Sequence, residues 1–354
     1  MLHGYQIESV IGHGGFGITY KAHDTDFNQT VAIKEYLPSD LAYRDEKDTV
    51  RPLTDEQKGL YDWGMERFLS EGKTLEEFRH PNVIKVHNVF QDNNTVYMVM
   101  EYADGKDMQD LMRKGLFHDE QSLLQICVPI CDGLAHVHEA GFVHRDIKPA
   151  NIFVRTDGSP VLLDFGSARQ AVAKTGPAST MTSLVTPGFA PFEQYNDDAR
   201  SQGPWSDIYA FGATLYLALT GRPPVDALVR SHSFLNQTQD PYEPATKVGG
   251  RQFSTRFLRA IDHALCFREV DRPQNANDWS RMLQGLDPVP NFGGTTTTDR
   301  RPAPAKGAKK QSRKIKLRKR SQKLPKKLLI LIGLLSAALL IGIGVYLYAF
   351  GGLG

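Results

Sequence analysis

The chain has 354 residues, of which 41% are hydrophobic and 23% are charged. This length is enough to bury a large core, and the composition excludes a collagen-like, a wholly disordered and a disulfide-scaffold protein. The three cysteines fit a protein of a reducing compartment.

The formal net charge of +2 conceals a division between two parts of the chain. Residues 286–354 hold 14 Lys and Arg against 2 acidic residues, whereas residues 1–285 hold 28 against 38. The predicted folded part is therefore acidic, and the positive charge is concentrated near the C-terminus. An acidic domain is a poor match for nucleic acid, so we expect no nucleic-acid partner.

Residues 1–285 are predicted to form one α+β domain. The first hundred residues are typical of strands with one main helix, and helical periodicity dominates from about Asp107 onward. This order predicts a small β-rich lobe, a larger helical lobe and a cleft between them. The predicted strands are Tyr5–Ile11, Ile18–His23, Thr30–Glu35, Val83–Gln91 and Thr95–Glu101, and the predicted helix is Asp55–Glu77.

A glycine-rich turn is predicted between the first two strands. Gly12, Gly14 and Gly17 form a G-x-G-x-x-G pattern, which by itself is a weak signal. Strand-like residues follow it, whereas a dinucleotide-binding turn leads into a helix, so a Rossmann site is disfavoured. The backbone N–H groups of such a turn can approach phosphates closely. Lys34 ends a β-branched stretch, where a lysine needs an anionic partner or a role in a site.

Two later motifs are more specific. The run His144-Arg145-Asp146-Ile147-Lys148-Pro149-Ala150-Asn151 is followed, 13 residues after Asn151, by Asp164-Phe165-Gly166. In this order and spacing they match the catalytic loop and the magnesium motif of protein kinases. Over about residues 5–284 the chain resembles the eukaryotic-type (Hanks-type) protein kinase superfamily, and its form looks most like bacterial membrane-anchored Ser/Thr protein kinases. The resemblance implies a bilobal kinase fold and transfer of the ATP γ-phosphate to Ser/Thr hydroxyls of proteins.

The resemblance also implies roles for individual residues, which follow the needs of phosphoryl transfer. Asp146 would accept or orient the hydroxyl proton of the substrate. Lys148 would neutralise the transferring phosphate, and a lysine at this position is typical of Ser/Thr kinases. Asn151 and Asp164 would hold Mg²⁺ (or Mn²⁺), and Lys34 would hold the α- and β-phosphates of ATP.

Lys34 needs a carboxylate to fix it, and Glu71 in the predicted helix matches the family position, ten residues before Pro81. These two residues are 37 apart, which is more than the usual family spacing. The extra piece is an insert at about Tyr36–Asp62, for which a partner-binding role and a simple loop are both open. We favour the loop, because a long insert costs little free energy.

The same resemblance places the adenine pocket. Ala32 would line it from the central strands, with Met100 as the gatekeeper residue. The Glu101 carbonyl and the Ala103 N–H would bond the edge of the adenine. Thr19 stands where the family usually has valine on the other adenine face, which makes the pocket slightly more polar.

Further matches imply structural and regulatory roles. Glu193 and Arg272 resemble the buried ion pair of the family, and Asp207 resembles the aspartate that caps the catalytic loop. Arg145 stands where an arginine commonly pairs with a phosphate on the activation segment. Thr186 is expected to hydrogen-bond the catalytic aspartate and lysine.

The phosphorylation site is expected a few residues before Thr186, at Thr182, with Thr180 as the alternative. A phosphate there would form charge-assisted hydrogen bonds to Arg145 and order the segment. In the competing interpretation, Arg145 bonds only backbone carbonyls.

The C-terminal part is predicted to comprise a disordered linker and basic juxtamembrane segment at 286–327, a transmembrane helix at 328–350 and a short tail at 351–354. Residues 328–350 form an uncharged run of 23 residues, long enough as a helix to cross a bilayer core. Positive charge beside a span stays in the cytoplasm, so we expect a single-pass protein with a cytoplasmic kinase domain, in a bacterial inner membrane. Lys306–Lys327 would meet anionic lipid, and small residues in the span leave a homodimer open.

The alternative function is a pseudokinase that serves as a scaffold or binding module. Pseudokinases usually lack the lysine, the catalytic aspartate or the metal-binding aspartate. Here Lys34, Asp146, Asn151 and Asp164 are all present, which favours an active enzyme. Its expected partners are ATP, protein substrates of unassigned identity and the membrane.

Overall fold

Strands come first in the chain and helices follow. The computed structural model describes residues 2–165, 185–195 and 201–290, which lie in one compact unit extending to Thr297. The strands are β1 Tyr5–Gly14, β2 Gly17–Asp24, β3 Gln29–Tyr36, β4 Ala42–Arg44, β5 Val50–Pro52, β6 Val86–Asp92, β7 Thr95–Glu101, β8 Gly105–Asp107, β9 Ile152–Arg155 and β10 Pro160–Leu162. The helices are α1 Asp55–Leu75, α2 Met108–Arg113, α3 Glu120–Glu139, α4 Pro204–Thr220, α5 Ala227–Leu235, α6 Ala245–Val248, α7 Thr255–Ala264 and α8 Ala276–Leu283. The predicted α+β architecture, with a β-rich N-terminal lobe and a helical C-terminal lobe, is confirmed.

The N-terminal lobe is built on a five-stranded antiparallel sheet in the order β1-β2-β3-β7-β6. All five predicted strands are present. The strand predicted at Val83–Gln91 begins only at Val86, so its predicted start is wrong. The reason is that the backbone N–H of Ile84 donates to the carbonyl of Leu162 in β10, at 3.0 Å. The residues before β6 therefore pair with the other lobe and not with the sheet.

Helix α1 has both of its ends defined by local sequence. The Thr54 side chain accepts a hydrogen bond from the Gln57 backbone N–H at the N-terminus, and Glu76 is the C-cap. Asp55 in the first turn and Lys73 in the last turn complement the helix dipole. The helix thus ends at Leu75, two residues before the predicted end. Its buried face consists of Tyr61, Gly64, Phe68, Glu71, Gly72 and Leu75.

The insert between β3 and α1 forms a β-hairpin, so the prediction of a simple loop is wrong. Strands β4 and β5 pair antiparallel, and Ala42 and Val50 are buried in the N-terminal core. The Val50 backbone N–H donates to the carbonyl of Asn93 at 2.8 Å, and the Asn94 side chain donates to the Val50 carbonyl at 2.8 Å. The sequence favoured a loop because each strand has only three residues, which are too few to show an alternating pattern.

The C-terminal lobe has its core among α3, α4, α7 and α8. Trp279 of α8 is fully buried, and its indole N–H donates to the Ala260 carbonyl of α7 at 2.8 Å. Its ring also meets the Phe211 ring of α4 edge-on, with centroids 5.6 Å apart. Cys127 and Cys131 are buried in α3 within the same apolar cluster. This core supports the three-stranded sheet β10-β9-β8, from which the site is built.

No helix in 2–165, 185–195 or 201–290 is long and apolar enough to cross a bilayer. The predicted span at 328–350, and the linker before it from residue 291 onward, lie outside these ranges.

The predicted ion pair between Glu193 and Arg272 is present and buried. Arg272 Nη1 lies 2.6 Å from Glu193 Oε1, and Nη2 lies 3.2 Å from Oε2, so the contact is bidentate. Ser206 donates a further hydrogen bond to Glu193 Oε1 at 2.8 Å. The Arg272 guanidinium also donates to the carbonyls of Cys266 and Phe267, at 2.8 Å and 2.6 Å. The pair joins the 3₁₀ turn Phe192–Tyr195 to the start of α4 and to the segment after α7.

Replacing Arg272 tests this anchor. Arg272→Ala is expected to lower the free energy of unfolding by about 3–5 kcal/mol, because it leaves the Glu193 carboxylate buried without its cation. Urea denaturation followed by tryptophan fluorescence measures the loss. The control is Arg281→Ala, which removes a pair with Asp287 that is 2.7 Å long but exposed, and which we expect to change stability little. Equal losses in the two variants would contradict the assignment of Arg272 as the anchor.

Candidate active site

The backbone of the catalytic loop is held by Asp207, as the resemblance implied. The N–H of His144 donates to Asp207 Oδ2 and the N–H of Arg145 donates to Oδ1, each at 2.8 Å. His138 Nε2 lies 2.8 Å from Oδ2. Burial alone favours the protonated acid, but the hydrogen bond and charge of His138 and the proximity of His144 outweigh it and lower the pKa of Asp207. An ionised carboxylate in the first turn of α4 therefore fixes the loop.

His144 links the two acidic residues of the site, a role that the sequence reasoning missed. Its Nε2 donates to the Leu163 carbonyl at 2.8 Å, and its Nδ1 accepts from the Asp146 backbone N–H at 3.3 Å. Burial lowers the pKa of His144, so the imidazole is neutral and one nitrogen donates while the other accepts. The ring also packs on Phe165, with centroids 4.3 Å apart. The histidine of the His-Arg-Asp motif was the available signal.

The catalytic group is assembled around Asp146. Lys148 Nζ lies 2.8 Å from Asp146 Oδ2, and Asn151 Nδ2 lies 3.0 Å from the same oxygen. Asn151 Nδ2 also donates to the Asp146 backbone carbonyl at 2.8 Å. Thr186 Oγ1 donates to Asp146 Oδ1 at 3.3 Å, which is the predicted contact of Thr186 with the catalytic aspartate. The structure thus brings together the predicted base, the predicted phosphate-neutralising lysine and one predicted metal ligand.

Lys34 reaches the other predicted metal ligand directly. Its Nζ lies 2.7 Å from Asp164 Oδ1, whereas the resemblance implied Glu71 as its partner. Burial is the largest single influence on Lys34 and favours the neutral amine, but Asp164, then Glu71 and Asp146, outweigh it and raise the pKa of Lys34. Glu71 is on the buried face of α1 and acts on Lys34 through its charge. The lysine is therefore charged and lies among carboxylates.

Asp164 and Asn151 fit a divalent cation. The pKa of Asp164 is lowered, because the charge and hydrogen bond of Lys34 and the charge of Lys148 outweigh the opposite effect of burial. Since Asn151 Nδ2 donates to Asp146, the Asn151 amide oxygen remains an acceptor. A carboxylate and an amide oxygen are ligands that Mg²⁺ accepts, with phosphate and water completing its shell. No cluster of three or more His, Cys, Asp or Glu within the described ranges could hold a metal without such help.

The residues predicted to bind the nucleotide lie on the strands of the N-terminal lobe or directly after them. Ala32 of β3 is opposite Met100 of β7, and Thr19 of β2 is opposite Lys34. β7 ends at Glu101, and Tyr102 and Ala103 follow outside the sheet. The Glu101 side chain forms an ion pair with Arg155, which restricts the conformation of this residue.

Two apolar residues near the catalytic motifs, Phe153 and Leu163, were not singled out in the sequence. Both are partly buried against the same apolar cluster that holds Ala32 and Met100. Phe153 lies in β9 and Leu163 directly precedes Asp164. Their closeness to the two motifs was the only signal that could have identified them.

The glycines of the predicted phosphate-binding turn lie in different surroundings. A Cβ at Gly17 would lie 1.9 Å from the Glu35 carbonyl oxygen, so only glycine permits β2 to approach β3 there. A Cβ at Gly14 would meet nothing within 4 Å, which leaves the tip of the turn open. Gly12 is opposite Thr19 in the β1–β2 register. The turn can therefore lie over phosphates without steric hindrance.

Arg145 lies in an unusual environment. Its φ of 69° is in the left-handed region, which is unfavourable for a residue with a side chain. Its Nε is buried and has no hydrogen-bond partner in the part of the chain that the structure describes. Burial lowers the pKa of Arg145, with Asp207 and Glu71 acting in the opposite direction and Arg67 adding to it. Thr180 and Thr182, its predicted phosphorylated partners, lie outside the described residues.

Comparison with known proteins assigns the family. The family model for the protein kinase domain matches residues 5–279. A probable serine/threonine-protein kinase of Streptomyces coelicolor is 35% identical over 231 residues, which are 62% of this chain and 30% of that protein. Serine/threonine-protein kinase C of Synechocystis is 30% identical over 290 residues, which are 79% of this chain and 49% of that protein.

The solved structure described as the apo form of PpkA-294 has a TM-score of 0.72 and 34% identity, and the match covers 80% of this chain and 97% of that one. The chain spans 30% to 49% of the length of the two curated relatives above. With the family model matching most of the chain and the catalytic loop assembled as described, this chain belongs to the protein kinase domain family.

Proposed function

We propose that this chain is a serine/threonine protein kinase that transfers the γ-phosphate of ATP to Ser and Thr hydroxyls of proteins. The observation that carries the proposal is the group around Asp146, whose Oδ2 lies 2.8 Å from Lys148 Nζ and 3.0 Å from Asn151 Nδ2. Phosphoryl transfer needs positioned charge more than covalent chemistry, and this group supplies it. The names of the relatives, which are serine/threonine-protein kinases, support the same class.

The described residues divide the work of the reaction. Asp146 accepts the proton of the substrate hydroxyl, whose oxygen forms a bond to the γ-phosphorus while the bond from that phosphorus to the β–γ bridging oxygen breaks. Lys148 neutralises charge on the phosphate that is transferred. Lys34 binds the α- and β-phosphates once these displace part of its contact with Asp164. The released products are ADP and a phosphorylated protein.

ATP with Mg²⁺ or Mn²⁺ is the proposed cofactor set. Asp164 and Asn151 would hold the cation, which would neutralise phosphate charge. Ala32, Thr19, Met100 and the backbone of Glu101 and Ala103 would bind the adenine.

An active enzyme is favoured over a pseudokinase scaffold. The residues that pseudokinases commonly lose are present and form two contacting pairs, Asn151 with Asp146 and Lys34 with Asp164.

We also propose that the full chain is a single-pass membrane protein with its kinase domain in the cytoplasm. The support is the uncharged run of 23 residues at 328–350, preceded by 12 Lys and Arg in residues 306–327. Such a basic segment is attracted to anionic lipid by about 1 kcal/mol for each Lys or Arg near the surface.

Two substitutions separate proton transfer from metal binding. Asp146→Asn is expected to lower turnover by about 10²–10⁴-fold with little change in the KM for ATP, because the base acts on the hydroxyl. Asp164→Asn is expected to abolish turnover by weakening the cation site. Radiolabelled ATP with casein as substrate measures both. Asp62→Asn, on an exposed part of α1, is the control and should match the parent. Full activity in both site variants would refute the kinase assignment.

Fractionation tests the membrane anchor. Deleting residues 328–354 is expected to move most of the protein from the membrane to the soluble fraction. The remaining attachment should come from Lys306–Lys327 and disappear in high salt, because exposed charges are screened there. The full-length chain serves as the control and should stay in the membrane after the same salt wash. A soluble full-length chain would contradict the anchor.

Phosphorylation is tested in the activation segment. The Thr180→Ala/Thr182→Ala double variant is expected to phosphorylate casein several-fold more slowly than the parent, because Arg145 would lose its phosphate partner. Mass spectrometry of the parent should find phosphate on one of the two threonines. Thr175→Ala in the same segment is the matched control and should leave the rate unchanged. Unchanged turnover in the double variant, with no phosphate on either threonine of the parent, would overturn this prediction.

A further inference from the structure

A short segment after the activation region touches the catalytic aspartate. It comprises residues 186–190 and is called here the substrate segment. Thr186 donates from Oγ1 to Asp146 Oδ1 at 3.3 Å, and the backbone N–H groups of Phe189 and Ala190 donate to the Thr186 carbonyl, each at 3.1 Å. The position of the segment therefore decides where Thr186 lies relative to the base.

Asp226, at the start of α5, also binds this segment. Its Oδ2 accepts hydrogen bonds from the Gly188 backbone N–H at 3.1 Å and from the Tyr195 hydroxyl at 2.8 Å. Burial, together with the charge and hydrogen bond of Asp226, raises the pKa of Tyr195, so its hydroxyl remains a donor. One carboxylate oxygen thus binds both the substrate segment and the 3₁₀ turn that follows it.

Gly188 can make this contact because it has no side chain. Its φ is +82°, and a Cβ there would lie 3.0 Å from Cβ of Pro223. The segment therefore packs tightly against the residues that precede α5. A shift of Asp226 would be passed to the segment directly.

Asp226 is itself firmly fixed. Its Oδ1 caps α5 by accepting from the Leu228 backbone N–H at 2.8 Å. One turn later Arg230, which is 2% exposed, donates to the Leu265 carbonyl at 2.9 Å and pairs with Asp240 at 2.8 Å. These contacts tie α5 to the core of the helical lobe and make it a rigid support for the carboxylate.

From these contacts we propose that Asp226 is a positioning residue for the protein substrate. By fixing the substrate segment, it sets the place of Thr186 beside Asp146, where the hydroxyl of the substrate must arrive. The nucleotide side of the site is formed by other elements, β3 and β7, which carry Lys34 and Met100. The inference rests on the proposed kinase activity and assigns Asp226 to the use of the protein substrate and not to that of ATP.

The test uses the full chain with casein and ATP varied separately. Asp226→Asn keeps the size of the side chain but places an N–H₂ group where acceptors are needed. It is expected to lower kcat/KM for casein by about tenfold or more, the effect of removing hydrogen bonds to a charged acceptor. The KM for ATP, and the slow hydrolysis of ATP without casein, should stay within about twofold of the parent, since a positioning residue for the protein acts on neither. Tyr195→Phe should also lower kcat/KM for casein, but by a smaller factor.

Asp262→Asn is the matched control. Asp262 also accepts several hydrogen bonds, from Tyr242, Ala245 and Thr246, but it supports α6, away from the substrate segment. The Asp262→Asn variant should leave kcat/KM for casein and the KM for ATP unchanged, even if the substitution lowers the stability of the protein. An Asp226→Asn variant with the parent's kcat/KM for casein, or with an equal loss for ATP, would overturn the inference. If Asp226→Asn does not fold, Tyr195→Phe decides by the same criteria. A parent without ATP-dependent transfer would instead refute the proposed function.

Discussion

The geometry of the whole site depends on the buried carboxylate of Asp207. An ionised carboxylate in the interior is costly unless its oxygens are bonded. Here the N–H groups of His144 and Arg145, together with His138, bond both oxygens at 2.8 Å. The same bonds hold Arg145 at a φ of 69°, which its own side chain disfavours. The turn at Arg145 places Asp146 at the cleft. The bonds to Asp207, deep in the helical lobe, offset the backbone strain at Arg145.

His144 connects the segment of Asp146 to the segment of Asp164. Because the imidazole is neutral, it accepts from the Asp146 backbone and donates to the residue before Asp164. One ring therefore binds the backbone at Asp146 and the backbone directly before Asp164. Lys34 brings the N-terminal lobe into the same network through its contact with Asp164. The positive charge of Lys34 is therefore in position beside Asp164 before a nucleotide binds.

The hairpin β4–β5 gives the N-terminal lobe an internal support for α1. Tyr61 of α1 donates from its hydroxyl to the Asn94 carbonyl at 2.6 Å, and its ring lies 5.4 Å from that of Tyr36. Val50 of the hairpin bonds the same β6–β7 turn. The hairpin and the turn thus fix the N-terminal half of α1, and with it the placement of Glu71 near Lys34. The insert has a structural role in a part of the lobe that bears on the site.

The sequence by itself determined the α+β class, the strand order along the chain, the start of α1 at Asp55, and the identity of Asp146, Lys148, Asn151 and Asp164. Local patterns specify these features, because periodicity, caps and motif spacing act over a few residues. Only the tertiary structure decided that Lys34 pairs with Asp164, that the insert is a hairpin, and that His144 and Asp226 each bind two separate segments. Apart from the hairpin, whose strands are too short to show a pattern, these contacts join residues far apart in the chain, and their geometry is set by tertiary packing, which no local pattern encodes.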